Sequence, residues 1–273
     1  MKNRALALPH LVWAFTFIVI PLCFVLYFAF TDQNGAFTLS WFAQIGRFVG
    51  VFTRSLKLAL IATAICLLLG YPMAYIISRK SSISQRTLVM LLMLPMWMNF
   101  LLRTYAWMTL LEKNGIINNF LEAIGVFRLL GITEPLRLIN TEGAVVVGMV
   151  YNFLPFMILP LYNIMVKIDN NLIEAAQDLG CNPAGVLRRV LLPLSFPGIV
   201  NGITMVFVPA ASTFVISQKL GGAKNMLIGD LIDTYFMGGE PNFHIGSVLS
   251  LVLMLIILFC MAFMKQDQEE VML

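Results

Sequence analysis

The chain carries little that can make or break bonds. Its two histidines, His10 and His244, lie far apart, and its four cysteines, Cys23, Cys66, Cys181 and Cys260, show no paired metal spacing. It has no Gly-x-x-x-x-Gly-Lys-Ser/Thr loop, so it does not hydrolyse a nucleotide by that route. The pattern that stands out is mechanical. Glu174-Ala175-Ala176 is followed by Gly180, then by Val190 and Leu192-Pro193. Asn171 as N-cap with Glu174 at N3 predicts a capping box, and Gly180 suits the left-handed position that ends a helix. Asn182 and Pro183 read as the cap and first turn of another. Two short helices are expected, Leu172–Leu179 and Pro183–Leu192, within a polar segment 169–193. Neither has an apolar face large enough to stand alone, so the pair must dock on something. The small side chains of Ala175 and Ala176 allow close approach.

The elements that hold this segment are apolar. The chain has 273 residues, 59% hydrophobic and 12% charged, with mean hydropathy +0.86. That composition points to lipid as the solvent. Six runs are long enough to cross it as helices: His10–Thr31, Ser55–Ser78, Leu88–Leu111, Gly143–Val166, Pro197–Gln218 and His244–Met264. The expectation is an all-α polytopic membrane protein, residues 1–273 forming one domain, with segment 169–193 as an insert facing water. The first run is too long for a secretory signal and lacks a small-x-small cleavage site, so it reads as an uncleaved span. Short barrel-type alternating segments are not seen.

Lys2 and Arg4 precede the first span, and Arg79, Lys80 and Arg86 fill a short loop after the second. The positive-inside rule then places both termini, and the Glu174 insert, in the cytoplasm. The net charge of +4 does not suggest nucleic acid. On the outer side, Trp41, Phe42, Ile45, Phe48, Val49 and Phe52 recur at helical steps, as in a surface-lying amphipathic helix. The next outer loop carries Gly115, Gly125 and Gly131. The third outer loop has Gly221-Gly222 and, around Leu227–Ile232, a short helix against the membrane surface. The span prolines read first as ordinary membrane packing, with Pro95 and Pro209 as bends beside a pathway the alternative. Gly198, Gly202, Ala210, Ala211 and Ser212 make the fifth span a close-packing seam, internal or with a second chain.

The Glu-Ala-Ala, Gly and Leu-Pro spacing resembles the signature loop of ABC importer permeases. Gly70-Tyr71-Pro72-Met73-Ala74-Tyr75 is similar to the end of the second span in many of them. Leu94-Pro95-Met96-Trp97-Met98-Asn99, Leu102-Arg103-Thr104-Tyr105-Ala106-Trp107, Val150-Tyr151-Asn152-Phe153-Leu154-Pro155 and Gly221-Gly222-Ala223-Lys224-Asn225 resemble the B-type permeases of spermidine/putrescine importers. The resemblance runs from the second span onward. It implies the type I importer permease fold, a location in the bacterial inner membrane, and no enzymatic activity in the chain itself. It also implies a C-type permease partner, a dimer of ATPase subunits that binds ATP and Mg, and an extracytoplasmic binding protein. Glu174, Ala175, Ala176 and Gly180 would couple to the ATPase. Related permeases carry opines, thiamine, iron and other small solutes, so those cargoes stay open, a small anion among them. A self-powered secondary transporter commonly shows inverted repeats and midplane charges, neither of which is seen here.

A polyamine path calls for aromatic faces and few charges. Trp97, Tyr105, Trp107 and Tyr151 can supply faces, with Asn99 and Asn152 as polar contacts; packing duty is an equal alternative for the aromatics. No Asp or Glu falls inside the six runs, so carboxylates for a cation must come from the partner permease. Arg103 is the one charge well inside a run. It is read as structural, snorkelling or paired with a carboxylate such as Glu142, with a place on the pathway as the alternative. Asp230 and Asp233, three apart, are outer-face candidates for meeting the binding protein or guiding a cation, or simply a solvated face.

Overall fold

The computed structural model describes residues 4–125, 127 and 134–271; Lys2 and Gly131 lie outside them. Among the described residues the regular structure is helical, apart from one isolated antiparallel bridge, Thr31 to Phe37. Five continuous helices are long and apolar enough to span: α1 (Pro9–Phe30), α2 (Phe42–Ser78), α6 (Glu142–Met165), α8 (Pro183–Ser212) and α10 (Phe243–Val271, apolar to Ala262). A sixth crossing is broken into α3 (Ser82–Met93) and α4 (Phe100–Leu111). Among the described residues there are also three shorter helices: α5 (Ile116–Ala123), α7 (Asn170–Asp178) and α9 (Ile228–Met237).

The core is the packed trio α2, α6 and α8. Helices without bulky side chains at the seam can approach closely, and lipid gives no hydrophobic push to compensate for poor fit. Gly202 of α8 lies so near Met157 of α6 that an added Cβ would sit 2.6 Å from its sulfur. Gly198 meets Ile164 and the Pro160 carbonyl in the same way. The small-residue stripe of α8 is therefore an internal seam. By contrast α1 is almost wholly exposed and rests on α10. There Phe28 packs on Phe243 and His244, and His244 Nδ1–H donates to the Phe28 carbonyl at 2.9 Å.

Three expectations need correction. The third run does not cross as one helix from Leu88 to Leu111. It starts at Ser82, tightens into a 3-10 turn at Leu94–Trp97, breaks at Met98–Asn99 and turns by 87°. Pro95 supplies no N–H to the turn before it, and Asn99 begins a new helix by capping it. Second, Pro183–Leu192 is not a separate short helix ahead of a span at Pro197–Gln218. One helix runs from Pro183 to Ser212, and its bends are absorbed by a wide π turn at Leu187–Leu191, just before Pro193. A widened turn makes room for a ring that would otherwise clash with the preceding carbonyl. The same device, Phe15–Val19 followed by Pro21, occurs in α1. Third, the aromatic stretch near Trp41 is not a free surface helix. It forms a 3-10 segment, Phe42–Phe48, that runs directly into Val49–Ser78.

Candidate coupling surface and translocation path

The short helix α7 is built to be rigid. Its N-cap is Asp169, whose Oδ1 accepts from the Asn171 amide at 3.0 Å. The expected Asn171–Glu174 capping box is therefore absent: an acidic cap two residues earlier takes the position, and Glu174 projects exposed from the second turn. The other end closes as expected. Gly180 has φ +82°, its N–H bonds the Gln177 carbonyl at 2.8 Å, and the Cys181 N–H reaches the Ala176 carbonyl at 3.0 Å. These paired bonds, with a glycine in the left-handed region, form a Schellman stop. Asn182 Oδ1 then accepts from Gly185 N at 2.7 Å and starts α8.

One face of α7 is satisfied and the other is not. Ile173 and Ala176 pack with Ile168, Val186 and Leu191 beneath the Tyr75 ring. Ala175 and Glu174 face outward, between Leu172 at 49% and Leu179 at 87% exposure. Positions 172, 175 and 179 share a helix face, so this is a narrow apolar strip around a small residue, with one carboxylate beside it. A cleft of about 630 Å³, rimmed by Arg188 and Arg189, adjoins it. Such a surface suits docking of a folded partner. A larger side chain at 175 would hold that partner away.

The break in the third crossing is the other distinctive feature. Non-helical backbone at membrane depth is tolerated where it is buried in protein or lines a watery cavity. Trp97 is 71% exposed there, and Met98 and Asn99 are exposed beside it. Asn99 Oδ1 accepts from the Leu101 and Leu102 amides at 2.8 and 3.4 Å, so its oxygen is occupied as a cap. Along α4, Tyr105 is exposed on one side and carries the Lys219 ammonium 5.3 Å from its ring centre. Trp107 and Tyr151 meet edge to face, centroids 5.4 Å apart. Asn152 is buried within α6, its Nδ2 donating to the Gly148 carbonyl at 2.8 Å. The six pathway candidates thus divide: Trp97 and Tyr105 are open, Trp107 and Tyr151 form a half-buried pair, Asn99 is a cap, and Asn152 lies in the core.

Arg103 neither snorkels nor reaches Glu142. It is 8% exposed, its guanidinium carbon lies 5.8 Å from the Phe100 ring, and its Nε has no hydrogen-bond partner among the described residues. Glu142 is engaged elsewhere, with Lys57 at 2.9 Å and Arg54 at 3.5 Å. Asp230 is likewise misread as a surface residue. It is fully buried in the first turn of α9, its Oδ2 accepting from the Leu227 amide at 2.6 Å. Burial pushes its carboxyl up to about 6; the Leu227 N–H and the Ser217 hydroxyl pull it down, and Asp233 pushes it up. The one Ser217 hydrogen can go to Asp230 or to the Phe214 carbonyl at 2.9 Å; when it goes to Phe214, Oδ1 of Asp230 has no hydrogen-bond partner among the described residues. Asp233 accepts from Gln218 Nε2 at 3.0 Å.

Sequence reasoning missed two groups here. Asp169 stood in a run of three residues, Asp-Asn-Asn, each able to cap. Arg79 was counted as a charge for orientation, yet its guanidinium bonds the end of α6 and the start of α7. A basic residue just past a helix end was the only available signal.

Comparison with known proteins completes the picture. Residues 66–266 match the family model described as binding-protein-dependent transport system inner membrane component. The spermidine/putrescine transport system permease protein PotB of Haemophilus influenzae is 38% identical over 258 residues, covering 90% of this chain and 88% of that protein. Its namesake in Escherichia coli K12 is 35% identical over 252 residues, covering 89% and 90%. Among solved structures, a bacterial alginate ABC transporter in complex with an alginate pentasaccharide-bound periplasmic protein contains a chain that superposes with TM-score 0.73. It shares 16% identity, with 98% of this chain and 93% of that one covered, so the likeness is one of fold.

Proposed function

The chain belongs to the family of binding-protein-dependent transport system inner membrane components, and from that premise we propose that it is the B-type permease subunit of a polyamine importer driven by ATP. The cargo is inferred from the printed names of relatives that align over nearly the whole chain. The observation that carries the coupling role is α7: a capped, rigid helix that, with Leu179 just past its end, presents Leu172, Glu174 and Ala175 outward, uncovered by any other described residue. In this reading α7 and both termini face the cytoplasm of a bacterium, and the chain crosses the inner membrane six times.

Glu174 and Ala175, on the outward face of the helix that Gly180 ends, then seat in an ATPase subunit, one of two, which binds ATP and Mg, while Ala176 holds α7 to its own chain. A C-type permease forms the other half of the path, and an extracytoplasmic binding protein delivers cargo to the opposite end. Closure of the ATPase pair moves α7, and the α2–α6–α8 core follows. The broken crossing lines the path. Trp97 offers an open π face to an ammonium and Tyr105 the side of its ring that Lys219 does not cover, and Trp107 and Tyr151 add a half-buried aromatic pair. This chain sets the Lys219 ammonium against Tyr105 and has no Asp or Glu inside its six apolar runs, so the negative groups that hold a polyamine belong to the C-type partner.

The test is uptake of labelled spermidine and putrescine in cells lacking this chain and any other polyamine importer. Wild-type complementation restores uptake, whereas Glu174→Arg lowers it at least ten-fold with the protein still in the membrane. Rescue by Glu174→Arg at the wild-type rate removes the docking role. Uptake unaffected by deletion removes the polyamine cargo.

Buried Arg103 favours a second reading, a small anion as cargo. Under the polyamine reading Arg103→Gln leaves the ratio of spermidine to anion uptake unchanged. A shift of that ratio would place Arg103 on the path.

A further inference from the structure

Arg79 follows the last residue of α2, and its guanidinium reaches acceptors from elsewhere in the chain. Nη1 donates to the Ile168 carbonyl at 3.1 Å and to Asn170 Oδ1; Nη2 donates to the Met165 carbonyl at 3.4 Å. Met165 closes α6 and Asn170 opens α7. The Tyr75 ring, one turn back on α2, lies 5.4 Å from the guanidinium carbon. One side chain of α2 therefore fastens the exit of α6 to the entry of α7.

The chemistry favours this placement. The last carbonyls of a helix lack partners within it, and a cation suits the negative end of its macrodipole. A planar guanidinium can hold several acceptors in a fixed geometry, which an ammonium cannot. Neighbouring polar ties meet at the same end of α2. Gln85 Nε2 donates to the Ser78 and Lys80 carbonyls at 3.0 and 2.9 Å, while Tyr162 Oη–H donates to Gln85 Oε1 at 3.1 Å. Tyr71 Oη and Ser195 Oγ of α8 lie 3.0 Å apart. The other attachments of α7 are the connector 166–169, the tight turn 179–182 that leads into α8, and the small apolar patch around Ile173. Apolar contact resists separation but is non-directional, so it permits sliding; the Arg79 bonds do not.

We propose that Arg79 is a positioning residue that makes α7 move as one body with the ends of α2 and α6, so that force applied to the docking helix reaches the core. This rests on the permease reading above.

The complete importer, with both permeases, the ATPase pair and the binding protein, is reconstituted in vesicles. Two quantities are measured: spermidine imported per ATP hydrolysed, and stimulation of hydrolysis by the spermidine-loaded binding protein. Arg79→Met, which retains a stem against Tyr75, is expected to keep the ATPase bound but to lower import per ATP about ten-fold. Asn170→Ala, an exposed change that removes one acceptor, is expected to lower it about two- to three-fold, and Arg79→Lys to recover only part of the loss. A purely structural role would reduce the amount of assembled complex and leave import per ATP at the wild-type value. That result, in Arg79→Met or in Asn170→Ala, overturns the proposal. A wild-type complex that imports nothing under ATP would instead overturn the permease reading, and this inference with it.

Discussion

Asp230 has a carboxyl that its surroundings would rather keep protonated. Its value is raised from 3.8 to about 6 by burial. For an acid with a raised folded-state value, the folded protein binds more protons between the two values. The stabilisation from Asp230 is therefore complete below about pH 4 and lost as the pH rises through about 6. The full loss is about 3 kcal/mol as an order of magnitude. Asp230→Asn keeps an oxygen for the Leu227 amide and removes the ionisation. Thermal denaturation in detergent from pH 5 to 7.5 should show the wild type losing several degrees more than the variant. Parallel curves would mean that the buried carboxyl is solvated in solution. At this scale, residue types were legible in the sequence but environments were not. Asp230 and Asp233 looked alike three positions apart, yet one lies inside the fold and the other is half exposed. Arg103 looked in need of Glu142, but Lys57 and Arg54 stand nearer to that carboxylate.

Whole helices were easier to read, and their failures share a cause. Hydropathy passes smoothly over Leu-Pro-Met-Trp-Met, so an apolar window cannot register the break that Pro95 and Asn99 make. The proline that seemed to end a short helix at Pro193 is instead absorbed by a wide turn, which periodicity also cannot register. Positions of the caps Gly180, Asn182 and Pro183 were legible because each depends on a local backbone need. The same local logic gives a prediction for the break. If Asn99 acts as the cap of α4, Asn99→Ser should support near-normal uptake, since serine caps almost as well. Asn99→Ala should weaken the helix start by about 1 kcal/mol and lower uptake several-fold. Equal loss in both variants would point to a direct contact with cargo through the amide.

Across the molecule, the core of α2, α6 and α8 joins two working ends. One end presents α7 outward. The other is clamped by the Gly221–Gly229 stretch: Asn225 Nδ2 donates to the Asn140 and Gly221 carbonyls at 3.0 and 2.9 Å, and Arg54 donates to the Lys224 carbonyl at 2.6 Å. Gly222, at φ +66°, turns the chain where a side chain would strike Asn140. The helix α1 stands outside this frame and rests on α10, where Ala29 is buried against Val248 and Leu251. That contact orders the birth of the protein. Within this chain α1 is made well before α10, the helix on which it seats. At about 5–20 residues per second the wait is roughly 10–40 s. Throughout that time α1 has the neighbouring Trp41–Phe42 segment against its end but not yet its seat, and lipid must cover the face that α10 later takes.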